Sequence, residues 1–194
     1  MSRSKRITAV ILGAFLSALA IALFLHDAEY LLTGKTVNLN EILDNGDDPP
    51  RDKYVTYACQ ISLGNYGETR MKYGFIPLPG KTEQFAMLDA SGLIISAEIG
   101  DRAKIAEMLS LTESGEGEVT LTGCFQTNSG DMSRFLSEYL SGVDWEGRSV
   151  FMTPYVIDTT KTRVKQTALY IGVLALGVGV IALSFSKPKE EEYT

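Results

Sequence analysis

Tyr54-Val55-Thr56-Tyr57-Ala58-Cys59-Gln60-Ile61-Ser62-Leu63 alternates without a slip. Val55, Tyr57, Cys59, Ile61 and Leu63 fall on one side, and Thr56, Ala58, Gln60 and Ser62 on the other. Side chains of an extended chain point alternately to opposite faces, so the run predicts a half-buried strand and a β-rich domain around it. Upstream, Asn38 to Leu43 reads as a short helix, with Asn38 and Glu41 spaced for a capping box, closed by Asp47-Asp48-Pro49-Pro50. Downstream, Asn65-Tyr66-Gly67 reads as a turn and Thr69 to Ile76 as a second strand, which Pro77 and Pro79 break before Gly80 turns the chain. Glu83 to Asp89 and Leu93 to Glu98 flank Ala90-Ser91-Gly92 as a hairpin would.

Asp101 is placed to cap a helix reaching Leu111, with Ile105, Met108 and Leu109 inward. Glu116 to Gln126 predicts another strand. Asp131 then caps a helix whose Met132, Phe135, Leu136, Tyr139 and Leu140 share one face, and Arg148 to Asp158 supplies a last strand.

Beyond this domain the composition changes abruptly. Ile7 to Leu25 (ITAVILGAFLSALAIALFL) and Ala168 to Phe185 (ALYIGVLALGVGVIALSF) contain no charged residue. As helices they measure roughly 27–28 Å, close to the ~30 Å hydrocarbon core of a bilayer, where only internally hydrogen-bonded backbone is tolerated. Two transmembrane helices are therefore expected, at 7–25 and 168–185, bracketing a domain at 27–166. Ala18-Leu19-Ala20 resembles a signal-peptidase site, but the apolar run continues to Leu25, which favours an uncleaved anchor. Arg3, Lys5 and Arg6 precede the first span, whereas His26, Asp27 and Glu29 follow it. The positive-inside rule then puts residues 1–6 and the tail 187–194 in the cytoplasm and the central domain outside it. The expected location is the cell membrane.

Both spans carry small residues at helical spacing: Ala14, Ala18 and Ala22 on the first, and Ala168, Gly172, Ala175, Gly179 and Ala182 on the second. Such faces let helix backbones approach closely, so they are expected to pack, most simply span against span. Neither span holds an ionisable residue, which argues against an intramembrane proton or ion path.

Residues 27–166 hold 21 acidic against 13 basic side chains, a net of −8. Nucleic acid, which needs a basic footprint, is excluded as a partner; the bilayer and another membrane protein, or a second copy, are the expected ones. No catalytic, cofactor-binding or metal-ligating set is marked out, and no cofactor is expected. The one histidine, His26, sits at the membrane edge, which removes histidine triads and zinc clusters from a monomeric domain. Gly74 to Thr82 (GFIPLPGKT) has five residues where a phosphate loop needs four, and no helix follows it. Asp44-Asn45-Gly46-Asp47-Asp48 fails calcium-loop spacing and reads as a solvated turn. Cys59 and Cys124 are either a disulfide or two thiols. Regular alternation puts them on opposite faces, and a bulge at Gly123 would re-aim Cys124 inward. Trp145 is either a partner contact or an aromatic packed under its loop.

Strands, helix, strand, helix, strand make the domain α+β and mainly antiparallel, with two principal helices. A helix after the first strand group, followed by further strands, resembles the oligonucleotide/oligosaccharide-binding (OB) barrel, so an OB-like barrel is one expectation. Two anchors around a small β-rich domain resemble two-pass bacterial envelope proteins. In layout they also resemble Surfeit-type oxidase assembly factors and mitochondrial ring-finger ligases, although no ring-finger cysteines follow Phe185. The small-residue stripes, the two anchors holding one domain close to the membrane and the lack of a catalytic constellation make a non-catalytic, membrane-anchored module that assembles with another membrane protein the leading expectation. The alternative is an envelope enzyme or ligand-binding receptor using carboxylates in a groove.

Overall fold

Apolar composition makes helices of both chain ends. The computed structural model describes residues 3–73, 76–143, 145, 147 and 149–186, giving backbone alone for residues 3, 71–73 and 76–79. The chain divides into two units, Met1–Gly34 with Arg163–Thr194, and Lys35–Thr162. In the first unit, α1 (Arg3–His26) and α6 (Arg163–Phe185) are long and apolar enough to cross a membrane, and only 11% of each apolar stretch is buried. A soluble core helix would hide most of such a surface; here Ile11, Phe15, Leu25, Ile171 and Leu183 stand exposed.

The two long helices pack as an antiparallel pair, with Gly13 against Gly177, Asp27 against Tyr170 and Leu31 against Arg163. Their seam is not the small-residue stripe read from the sequence. It runs through Gly13, Ser17 and Ala20 on α1 and Tyr170, Gly177, Ile181 and Ser184 on α6. Ala14, Ala18, Ala22, Ala168, Gly172, Ala175 and Ala182 are exposed, and Gly179, half-buried, has nothing beyond its own helix backbone within 4 Å of where a Cβ would stand. The physical reason is the closest approach: at Gly13 and Gly177 a Cβ would lie 2.6 and 2.8 Å from the facing carbonyl oxygen. Backbone contact of that kind fixes the rotation of both helices and leaves the alanine faces outside.

A short helix not anticipated from the sequence, α2 (Ala28–Thr33), follows α1. It ends at Gly34, whose φ of +73° needs glycine and whose N–H donates to the Tyr30 carbonyl at 2.8 Å. The Arg163 guanidinium donates to the Leu31 and Leu32 carbonyls at 2.6 and 2.7 Å, a cation satisfying the acceptors of a helix C-terminus. The Tyr170 hydroxyl donates to Asp27 Oδ2 at 2.6 Å.

Among the described residues the second unit is a seven-stranded mixed sheet with three helices. Its elements are β1 (Val37–Asn38), α3 (Leu39–Asp44), β2 (Lys53–Cys59), β3 (Ile61–Tyr73), β4 (Ile76–Leu88), β5 (Leu93–Ile99), α4 (Arg102–Ser114), β6 (Val119–Thr127), α5 (Gly130–Leu140) and β7 (Phe151–Asp158). The strand order is β1-β2-β6-β7-β5-β4-β3. Pairings β1/β2 and β5/β7 are parallel and the other four antiparallel. The expected strand over 54–63 is therefore two strands broken at Gln60. β2 pairs with β6 up to Cys59–Val119, and β3 pairs with β4 from Ile61–Leu88. One residue of chain carries the polypeptide from the second position of the sheet to its far edge. The sheet is open, with β1 and β3 as edges, and this corrects the expectation of a closed barrel.

Alternation holds on the β2 half: Val55, Tyr57 and Cys59 enter a core with Phe85, Met87 and Leu121, which Leu39 and Leu43 of α3 and Ile105, Met108 and Leu111 of α4 cover. Past Gln60 the phase is lost, and Ile61 is 44% exposed. On the opposite face Leu136 and Leu140 of α5 pack with Ala86, Leu88 and Ile94. Asp101 caps α4, accepting from the Ala103 and Lys104 amides. The cap of α5 is Ser129 rather than Asp131, and Asn38 forms no side-chain cap on α3.

Residues 65–67, expected as a turn, lie inside β3 as a register shift; the Gly67 amide still donates to Asn65 Oδ1 at 2.8 Å. Pro77 and Pro79 do not end a strand. They lie in β4, in the part that has β3 on one side and no β5 pairing before Glu83, where a strand paired on one side only tolerates proline. The tail 187–194 and residues 74–75 of the loop resembling a phosphate site are outside the described residues, and Gly80 to Thr82 lie in β4.

Candidate functional site

The break at Gln60 leaves a groove of about 500 Å³ beside β2. One wall is Thr36, Asn38 and Asn40 with Asp44 at the end of α3. The other is the β4–β5 turn at Leu88-Asp89-Ala90, with Ile61 beside it, and Thr56, Tyr57 and Ala58 line the β2 side.

Asn40 shows why the wall stands where it does. Its Oδ1 accepts from the Ala58 amide at 2.7 Å and its Nδ2 donates to the Ala58 carbonyl at 3.1 Å. The side-chain amide thus acts as one more peptide unit beyond β1, which pairs only with Val55 and Thr56. Thr36 and Thr56 share a 2.7 Å hydroxyl contact on the same border. The exposed edge of β2 is closed to another strand at these residues.

Asp89 is 6% exposed. Its Oδ2 accepts from the Ser91 amide at 3.1 Å and the Ser91 hydroxyl at 2.7 Å, while its Oδ1 accepts only a long 3.4 Å bond from the buried Tyr57 hydroxyl. Among the described residues every donor to it is neutral and it forms no ion pair. Burial, with Asp89 beside it, pushes the Tyr57 phenol far above its usual range, so Tyr57 stays a protonated donor. Burial likewise pushes the Cys59 thiol up to about 12, which makes it inert as a nucleophile at neutral pH.

No disulfide joins Cys59 and Cys124; both are buried thiols. The β2–β6 register opposes Cys59 to Val119 and Cys124 to Tyr54 without a shift at Gly123, so the bulge that would have re-aimed Cys124 is not formed. The two cysteines lie five positions apart along the ladder, roughly 17 Å, far beyond the Cα separation a disulfide tolerates. Trp145 is half-buried and packs against the α5 cluster. Within 44–48, Asp44 lines the groove and the Gly46 and Asp47 amides close a turn onto Leu43 and Ile42. Among the described residues no three His, Cys, Asp or Glu side chains converge as a metal ion would require.

Sequence reasoning missed Asn40, Tyr57 and Asp89 as one constellation. The available signal was a tyrosine in an otherwise apolar row, whose hydroxyl must find a partner when buried. No protein-family model, curated protein or solved structure matches the chain.

Proposed function

We propose that this chain is a membrane-anchored, non-catalytic assembly module that packs against another membrane protein and displays its sheet unit outside the cytoplasm. One observation carries the reading: the α1–α6 pair makes its own seam without the small-residue faces. The outward Ala14, Ala18 and Ala22, and the outward Ala168, Gly172, Ala175 and Ala182, remain available to a further transmembrane helix. The antiparallel pair agrees with both termini on one side, and Arg3, Lys5 and Arg6 argue that this side is the cytoplasm. For the sheet, the finer reading is an opened relative of the OB barrel. Its support is the order β3-β4-β5-β7-β6-β2 with β5 and β7 parallel and α4 between β5 and β6, if β2 and β3 count as one interrupted strand.

The test is cross-linking in native membranes, gentle solubilisation and identification of what co-purifies. One stoichiometric membrane protein, lost from Gly172→Leu and Ala175→Leu variants, is the expected result; recovery of the chain alone refutes the reading. Protease added to intact cells should cut the sheet unit, and protection until lysis would reverse the orientation. A second reading, a ligand-binding receptor using carboxylates in a groove, is favoured by the buried Asp89 on the groove wall.

A further inference from the structure

The groove at the strand break carries one further step, which rests on the receptor reading and names its ligand class. Its walls hold two carboxylates, Asp44 and Asp89, and no lysine or arginine. A phosphate or carboxylate ligand would meet negative charge without a compensating cation. A divalent metal would need oxygen ligands that do not converge among the described residues. A quaternary ammonium is recognised by exposed aromatic faces, and the one aromatic lining the groove, Tyr57, is 1% exposed.

What remains is a cation that donates hydrogen bonds. Asp89 is a buried charge whose donors are Tyr57 and the amide and hydroxyl of Ser91, and a charge so placed ordinarily has a counter-charge. Its Oδ1 holds a single 3.4 Å bond, which leaves acceptor capacity for a shorter, charge-assisted one. Asn38, Thr56 and Thr120 offer further polar groups, while Ile61, Leu88 and Ala90 offer apolar contact to an alkyl stem. The groove volume lies within the range of small-molecule sites.

We propose that the groove binds the primary ammonium group of a small alkylamine, with Asp89 as its counter-ion and Asp44 as an outer, exposed attraction at the mouth.

The test is calorimetric titration of the full chain in lipid nanodiscs with butylammonium, against 1-butanol, methyl glucoside and tetramethylammonium. Saturable one-to-one binding of butylammonium is expected, with the three comparison compounds weaker by tenfold or more. Asp89→Asn should weaken it by about thirtyfold or more, as loss of a desolvated partner does. Asp44→Asn, at an exposed side chain whose replacement leaves the fold intact, should weaken it about two- to fivefold. Ala90→Trp, which fills the mouth from an exposed turn, should abolish it, and Asp131→Asn on α5 should not change it. Equal binding of tetramethylammonium, or binding indifferent to both Asp89→Asn and Asp44→Asn, overturns the proposal. Binding of methyl glucoside in preference to the amine overturns the ammonium assignment while keeping the groove as a receptor site. Silence with all four compounds overturns both.

Discussion

Replacing Gly177 by leucine is the sharpest perturbation of the α1–α6 unit, because the structure fixes both its sign and its control. A Cβ at Gly177 would stand 2.5 Å from Ser17 Oγ, 2.8 Å from the Gly13 carbonyl oxygen and 3.0 Å from the Ser17 amide nitrogen. The serine hydroxyl can rotate; the two backbone atoms cannot. Helix propensity works the other way, since leaving glycine gains up to about 1 kcal/mol. Overpacking typically costs about 1–3 kcal/mol for added methylenes, and here four carbons enter a backbone-to-backbone contact, so the steric term wins. Relief requires the axes to part, from the low end of helix spacing toward about 10 Å, an opening of roughly 2 Å.

Spin labels at Ile11 and Leu183, exposed by 64% and 73%, would read this opening by pulsed dipolar spectroscopy. Cys59 and Cys124 are buried and should escape labelling. The native chain should give one narrow distance distribution, and Gly177→Leu a longer or broadened one. Gly172→Leu, where nothing beyond its own helix backbone lies within 4 Å of the added Cβ, should leave it unchanged. An unchanged distribution for Gly177→Leu, or the same change in Gly172→Leu, would refute the assignment of the seam.

Three further outcomes are expected. Asn40→Ala strips both the donor and the acceptor from the Ala58 peptide, which groove water replaces in part. The sheet unit should lose about 1–2 kcal/mol in denaturant titration, and the Ala58 amide should exchange faster. Arg163→Ala leaves the Leu31 and Leu32 carbonyls without their cation, so amide exchange across α2 should rise about tenfold, and unaltered protection would deny the cap its role. In the β3–β4 ribbon, Lys81 and Arg70 hold the Glu68 carboxyl below its usual value, and Glu83 and Glu68 hold Lys81 above its own. The Glu68 contribution is present above about pH 4.3 and fades as pH falls through its lowered value. The Lys81 contribution is present below about pH 10.4 and fades as pH rises through its raised value. Exchange protection of the ribbon should therefore form a plateau between these limits and shrink at high salt; a slope across neutral pH would contradict it.

What was legible in the sequence is what local physics decides. Charge-free runs can only be helices in a bilayer. The Ala90-Ser91-Gly92 turn and the Asp101 cap follow from hydrogen bonds that close within four residues, main chain to main chain in the turn and amide to carboxylate at the cap, and both stand where their residues put them. The break at Gln60 was not legible, because Val55 to Leu63 alternates as cleanly across it as within it. Only the pairing of β2 with β6 and of β3 with β4, set by residues 25 to 68 positions away, splits the run. The same limit applied to the seam. Ala14, Ala18 and Ala22 have the right spacing, but spacing cannot rank a stripe of alanines against a single pair of glycines one residue away. The groove arose from the break, so Asn40, Tyr57 and Asp89 could not be grouped before it.

Edge protection narrows how the sheet unit can meet another molecule. An open sheet ordinarily invites strand addition, since an edge offers unpaired N–H and C=O groups in a row. Here β2 is covered by β1 and then by the Asn40 amide. On β3, the Tyr139 hydroxyl of α5 takes the Leu63 carbonyl at 2.6 Å, and Thr112 of α4 contacts Ser62 at 2.6 Å. Between them Gly64, at φ +115°, has a Cβ position only 2.6 Å from the Tyr139 oxygen, so no larger residue could let α5 sit so close. Farther along β3 the charges of Glu68 and Arg70 guard the ribbon. Two helices and a side-chain amide thus close β2 at Ala58 and β3 at Ser62 and Leu63 to β-pairing. Among the described residues, the groove at Gln60 and the outward small-residue faces of α1 and α6 are the surfaces on which the proposed recognition would act.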